Sequence, residues 1–240
     1  SPSSIGISGN VMNVHLPDDS YATYVALDVL SGYPEPLPNS LEHITVTGPG
    51  GLNLSKEDFT YYPEWKEFLA VLPGQPAIGT YEFYVQSGIS IGSATDSQDV
   101  IRNLPLPDPN SFVPEPDGSV NFINPSFFWE LVDYTEAPLY YRLEIQDPLT
   151  GQRAFATSRI ENMNFYTLSK GDLELGKEYL WRIRITDSGD WNMVQNRSHS
   201  DWYRFRVKAG TNPALPLLLL LEPYRSDDVT RKFREVDNNI

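Results

Sequence analysis

The chain has 240 residues, no cysteine and a formal net charge of −14. The absence of cysteine excludes disulfides, thiolate catalysis and thiolate-bound metals, and three scattered histidines (His15, His43 and His199) leave little material for a zinc centre. The negative charge argues against nucleic acid as a partner, because phosphate binding depends on cationic side chains.

The sequence predicts neither a targeting segment nor a membrane span. Residues 1–10 lack the basic start and the apolar stretch of a signal peptide, so a secreted chain would have lost its signal. The longest apolar run begins at Leu217 and ends at Leu221, far short of the roughly 20 residues of a membrane helix.

Alternation of apolar and polar residues over short runs predicts that the first half of the chain is built of strands. The runs rich in aromatic and β-branched residues are 11–16, 21–30, 44–47, 59–62, 68–72, 80–86 and 89–93. Turn residues such as Gly48-Pro49-Gly50-Gly51 separate them. Short strands at this spacing predict an immunoglobulin-like β-sandwich over residues 1–107.

A proline-rich segment follows and predicts a linker. Five prolines lie between residues 104 and 118, where they favour stiff, extended backbone. The charge changes there as well: residues 1–107 carry 12 acids and 3 bases, net −9, and residues 108–210 carry 15 and 11, net −4. We therefore expect a second domain over 108–210 and a C-terminal extension over 211–240.

The second half repeats the strand pattern. Its predicted strands are 119–123, 126–132, 140–147, 154–157, 164–167, 178–186 and 202–207. Parity places one set of large apolar residues on the inner face of these strands. They are Phe127, Trp129, Tyr141, Leu143, Ile145, Tyr179, Trp181, Ile183, Ile185, Tyr203, Phe205 and Val207.

This spacing carries a resemblance. Phe-x-Trp on an early strand, Tyr-x-Leu-x-Ile on a middle strand, and Leu173-x-x-Gly176-x-x-Tyr179-x-Trp resemble the fibronectin type III domain over residues 108–208. The resemblance implies that Trp129 and Tyr179 pack in the core, with Leu173 or Leu175 in the corner before the tyrosine. Tandem sandwiches of this kind are similar to those of bacterial surface and secreted proteins, which implies binding or spacing rather than catalysis.

The C-terminal extension allows two interpretations. The leucines from Leu217 to Leu221 form either a strand that packs on the second domain or an exposed strand that adds to a sheet edge of another copy. The second interpretation predicts self-association.

Two motifs are only weak indicators of catalysis or of metal binding. Gly88-Ile89-Ser90-Ile91-Gly92 matches the G-x-S-x-G spelling of a nucleophile elbow, with Asp96, Asp99 and His199 following in order, but no helical pattern follows Ser90. Calcium would suit acidic loops, and the candidates are Asp187 with Asp190, and Asp108, Asn110 and Asp117. Side-chain capping of turns explains both sets without a metal, so we expect no cofactor.

The loop at residues 187–201 is the strongest candidate for binding, because loops between late strands are displayed at the end of such sandwiches. Trp191 and Met193 lie in this polar loop, and Trp202 follows it. Such a tryptophan either anchors a sugar or protein partner or folds back to cap the core.

Strand parity also places five arginines on one outer face of the second sandwich: Arg142, Arg182, Arg184, Arg204 and Arg206. They either pair with acids on the same face, chiefly Glu144, or dock an acidic partner or the acidic first domain.

The sequence therefore predicts an all-β, non-catalytic binding or spacer module, extracellular or in the cell envelope, whose partner is a protein or a surface polysaccharide. One alternative is a carbohydrate-binding accessory module that uses Tyr61, Tyr62, and Trp65 or Trp191. The other is a serine hydrolase that uses Ser90.

Overall fold

Strands make up nearly all the regular structure of residues 4–210, the part of the chain that the computed structural model describes. The strands before the proline-rich segment are β1 (Gly6–His15), β2 (Tyr21–Ser31), β3 (His43–Gly48), β4 (Leu52–Ser55), β5 (Thr60–Tyr62), β6 (Glu67–Pro73), β7 (Gly79–Ser87) and β8 (Ser90–Gln98). Those after it are β9 (Gly118–Asn121), β10 (Ser126–Phe128), β11 (Tyr140–Gln146), β12 (Arg153–Ala156), β13 (Ile160–Glu161), β14 (Phe165–Thr167), β15 (Glu178–Thr186), β16 (Asn196–His199) and β17 (Tyr203–Lys208). The chain is all-β, as the sequence predicts, and no helix among residues 4–210 is long and apolar enough to cross a membrane.

The first sandwich packs two sheets face to face. One has the order β4-β3-β7-β8 and the other contains the antiparallel run β1-β2-β6-β5. Their inner faces bury Val25, Leu27, Phe68 and Phe83. The sheets approach so closely that a Cβ added at Gly9 would lie 2.4 Å from the Phe83 ring, so only glycine fits this position in β1.

The second sandwich has a larger aromatic core. Strands β11, β15 and β17 lie side by side in one sheet, and β10 pairs with β14 opposite them. The predicted inner residues of these strands are buried, with Trp129 and Trp181 both at 0% exposure, and only Tyr203 is partly exposed. The corner of this sandwich also forms as the resemblance implies: the hydroxyl of Tyr179 accepts a hydrogen bond from the backbone N–H of Glu174. Leu173 is buried beside it and Leu175 is exposed.

One sheet runs through both sandwiches. Strand β16 pairs antiparallel with β15 and parallel with β1, which gives the strand order β12-β11-β15-β16-β1-β2-β6-β5. Because β15 belongs to the second sandwich and β1 to the first, β16 joins the two by backbone hydrogen bonds. The division at residues 107 and 108 stays a prediction, since this sheet crosses it.

Several boundaries differ from the sequence prediction. The strand expected at 126–132 ends at Phe128, and the weak strand near residue 90 extends to Gln98. Strands β4 and β16 were missed altogether. The run from Leu217 to Leu221 lies outside the described residues.

Candidate functional site

The segment predicted as a displayed loop is the joint between the sandwiches. Residues 196–200 are all buried, although none of them is apolar. Asn196 carries most of the polar contacts: its Oδ1 accepts the backbone N–H of Arg102 at 2.7 Å, and its Nδ2 donates to the carbonyl of Val100 at 2.9 Å and to Asp187 Oδ2 at 2.7 Å. Asn196, Ser198 and Ser200 can be buried there because their side chains find hydrogen-bond partners, whereas Nε of Arg197 and Nε2 of His199 have none among residues 4–210.

Residues 102–105, where the chain enters the proline-rich segment, run along the same joint. The side chain of Asn13 in β1 donates to the carbonyl of Arg102 at 3.0 Å, and Ser198 in β16 donates to the carbonyl of Pro105 at 2.7 Å. Nδ1 of His15 lies 2.8 Å from the carbonyl of Leu104. The segment is therefore held to both sandwiches by hydrogen bonds, rather than spanning free between them.

Trp191 and Val194 pack against the opposite face of the shared sheet. They contact Met12 and Val14 of β1 in a third, smaller apolar cluster. The carbonyl of Trp191 accepts a hydrogen bond from Asn10 Nδ2 at 2.5 Å. Trp191 therefore covers the joint, whereas Met193 beside it is 63% exposed.

Three of the five predicted face arginines, with side chains 12–16% exposed, surround one buried carboxylate. Arg182 Nε donates to Glu144 at 2.8 Å, Arg184 lies 3.1 Å from it, and Arg142 lies 3.6 Å from it. Burial would raise the pKa of Glu144, but these arginines, Arg184 first, hold it well below its ordinary value. The group is an internal ion cluster.

The other two predicted arginines lie apart from that cluster. Arg204 and Arg206 contact Glu178 at 3.2 and 2.7 Å, and both side chains are more than half exposed. Exposed pairs of this kind contribute little to stability.

Three further arginines, not singled out in the sequence, lie beside this group: Arg197 is buried, Arg159 is partly buried and Arg153 is exposed. Arg153, Arg159 and Arg197 have no carboxylate within 4.0 Å among residues 4–210 and lie over aromatic rings instead. The distances from guanidinium carbon to ring centroid are 4.6 Å for Arg153 over Trp65, 4.8 Å for Arg159 over Trp191 and 4.7 Å for Arg197 over Tyr24. We call the six residues Arg142, Arg153, Arg159, Arg182, Arg184 and Arg197 the arginine cluster.

The contact between Trp65 and Arg153 brings together side chains from opposite ends of the shared sheet. Trp65 precedes β6 at one end of the strand order, and Arg153 starts β12 at the other end. The arginine cluster therefore lies on a face that both sandwiches enclose, which explains why face arginines are buried.

Two acids of the first sandwich face the arginine cluster. Asp28 and Glu67 are directly opposite each other on β2 and β6. Burial, reinforced by Asp28, raises the pKa of Glu67 to about 7, against the opposing pull of Arg197, Arg184 and Arg153. Burial likewise raises the pKa of Asp28. The six arginines of the cluster therefore share this region with three acids, Glu144, Asp28 and Glu67.

A small cavity opens into this region. It has a volume of about 80 Å³ and is lined by Trp65, Glu144, Arg153, Arg182, Arg184 and Trp202, among others. The ring of Trp202 lies 4.2 Å from the guanidinium of Arg182. Each of its two tryptophans therefore already carries a guanidinium on its ring.

The calcium candidates serve other purposes in the structure. The carboxylate of Asp187 accepts the backbone N–H groups of Gln195 and Asn196, both at 3.1 Å. Asp190 caps the 3₁₀ turn Trp191–Met193, as Asp108 caps Pro109–Ser111. Among residues 4–210 no three histidine or acidic side chains come together as metal ligands would.

The nucleophile-elbow motif does not have the geometry of an elbow. Ser90 begins strand β8 at a hairpin, and a strand rather than a helix follows it. His199 lies in β16, where burial and then Arg197 lower its pKa to about 2. A histidine whose pKa is this low is a poor general base near neutral pH.

The remaining carbohydrate candidates are only partly accessible. Tyr61 packs on Phe68 in the first core, with ring centroids 4.7 Å apart. Tyr62 and Trp65 form an exposed stacked pair at 5.9 Å. This pair borders the cavity, because Trp65 is one of its walls.

Comparison with known proteins gives similarities among solved structures. Neither protein-family models nor curated proteins match the chain. The chain is similar to the crystal structure of the FN1–FN3 domains of chicken CNTN1, with 11% sequence identity over 87% of this chain and 68% of that one and a TM-score of 0.35. Because this TM-score is low, the assignment of a sandwich fold rests on the sheets and cores of this chain, described above.

Proposed function

We propose that the chain is a non-catalytic binding or spacer module whose two sandwiches keep a fixed relative orientation, as part of an extracellular or cell-envelope protein. The observation that carries the proposal is the parallel pairing of β16 with β1, which joins a sheet of each sandwich into a single sheet. Domains that share only a flexible linker move freely, whereas a hydrogen-bonded sheet resists bending at the junction.

The fixed orientation can be measured directly, because the chain has no cysteine and accepts spin labels at chosen sites. Exposed Ser93 in β8 and exposed Ser169 in the second sandwich are changed to cysteine and labelled. The matched control is the pair Thr150→Cys and Ser169→Cys, within one sandwich. We expect the distance distribution between sandwiches to be as narrow as that of the control. A broad or multimodal distribution contradicts a fixed orientation.

Carbohydrate binding remains the alternative, and one observation favours it. Tyr62 and Trp65 are exposed side by side, 38% and 45%, and Trp65 forms part of the cavity wall. Aromatic side chains in such positions stack on sugar rings. Trp191, the other candidate, is covered by Arg159 and packs on β1.

A further inference from the structure

We propose that the arginine cluster binds a compact oxyanion, a carboxylate, sulfate or phosphate group, in the cavity between Trp65 and Trp202. Three observations carry this inference: the excess of guanidinium groups over carboxylates, the unpartnered guanidinium nitrogens, of which that of Arg184 lies in the cavity wall, and the cavity itself. The inference goes beyond the spacer function, which stands whether or not an anion binds.

The first observation is the imbalance of charge. Six guanidinium groups interact with one another, yet Glu144 is the single carboxylate within ion-pair distance of any of them in the described part of the chain. Arginine stays protonated in proteins, so mutual repulsion is not relieved by loss of a proton. Buried charges of one sign are costly unless they are compensated.

The second observation is the state of the guanidinium nitrogens. The Nε atoms of Arg142, Arg159, Arg184 and Arg197 are buried and have no hydrogen-bond partner among residues 4–210. Arg197 is 5% exposed, and its guanidinium lies over the ring of Tyr24. A buried donor without a partner costs free energy, and an oxygen-rich anion supplies acceptors for several guanidinium groups at once.

The third observation is the shape of the cavity. Arg153, Arg182 and Arg184 all contribute to its wall, and about 80 Å³ is room for one oxyanion group and little more. Both tryptophan rings already carry a guanidinium, so the charge of the ligand is recognised inside the cavity and any sugar ring attached to it would lie outside.

The proposal is tested by titrating the full chain with sodium sulfate, sodium phosphate, sodium glucuronate and glucose. Binding is followed by calorimetry and by thermal unfolding, with chloride keeping the ionic strength constant. At tenfold excess over the dissociation constant we expect an oxyanion to raise the unfolding temperature by about 3–6 °C. Binding of sulfate or phosphate alone identifies a free inorganic oxyanion, and binding of glucuronate identifies the carboxylate of an acidic saccharide.

Matched variants separate specific binding from general salt effects. Arg153→Met and Arg184→Met should each weaken binding at least tenfold, whereas Arg204→Met, at an exposed arginine away from the cavity, should leave it unchanged. Arg153 is itself exposed, so its variant is expected to fold.

Removal of an uncompensated charge should also raise the unfolding temperature of Arg197→Met above that of the unmodified chain in oxyanion-free buffer. The proposal is overturned if no oxyanion binds, if glucose binds as well as glucuronate, or if Arg204→Met loses as much affinity as Arg153→Met.

Discussion

Asn196→Ala is the substitution that most directly tests the joint between the sandwiches. The alanine removes four hydrogen bonds of the Asn196 side chain: those to the backbone of Arg102 and Val100, the one to Asp187, and a longer one of 3.4 Å from Asn13 Nδ2. Asp187 keeps two backbone donors, but the N–H of Arg102 and the carbonyl of Val100 lose the partners that the Asn196 side chain supplied. Since a buried polar group left unpaired costs about 1–3 kcal/mol, we expect a loss of about 2–4 kcal/mol in the free energy of unfolding.

The loss is measured by urea denaturation, followed by circular dichroism for both sandwiches and by tryptophan fluorescence for the second. Trp129 and Trp181 are in the core of the second sandwich, so fluorescence reports chiefly on it. The unmodified chain should give coincident transitions, and Asn196→Ala should separate them, because the variant uncouples the two units.

Asn192→Ala is the matched control for this experiment. Asn192 is exposed in the same segment, and its substitution should change the free energy of unfolding by less than about 0.5 kcal/mol. A loss below about 1 kcal/mol for Asn196→Ala, or an equal loss for both variants, would refute the conclusion that Asn196 holds the joint.

Two further predictions concern the acids that face the arginine cluster. Folding raises the pKa of Glu67 from about 4.5 to about 7. Its contribution to stability is therefore fully present below pH 4.5 and is lost as the pH rises through 7. Glu67→Gln should flatten this decline and raise the unfolding temperature at about pH 8. Unchanged pH dependence in this variant would contradict the burial of an ionisable Glu67. Glu144→Gln should destabilise the chain by about 3–5 kcal/mol in urea, because it leaves three buried arginines without their counter-ion. A variant as stable as the unmodified chain would contradict the role of Glu144 as counter-ion of these arginines.

The alternation of apolar and polar residues predicted the cores, because it can be read from each strand alone, without knowing how the strands pair. Tyr141, Leu143 and Ile145 alternate with polar residues, and all three are fully or almost fully buried. The same reasoning placed Arg142 on the opposite face of β11, directly across from Arg184. Its burial was not predictable, because it depends on the first sandwich closing over that face, and strand periodicity carries no information about domain orientation.

Strand β16 was missed for a different reason. Its residues Asn196-Arg197-Ser198-His199 are polar on both faces, so no apolar alternation marks a strand. One signal was present in β1, where Asn13 and His15 continue the parity of the core residue Val11. Polar residues at inward-facing positions near the end of a strand indicate that the strand leaves an apolar core and enters a hydrogen-bonded junction.

The polar character of the joint explains why it can fix an orientation. Apolar contacts are not directional and tolerate rotation of two surfaces, whereas hydrogen bonds require particular distances and angles. On one side of the shared sheet, Asn13, Asn196 and Ser198 bind the proline-rich segment at such distances. On the other side, Trp65 of the first sandwich rests on Arg153 of the second. A change of orientation would break both sets at once, so the enclosed charge and the polar joint depend on the same arrangement of the two sandwiches.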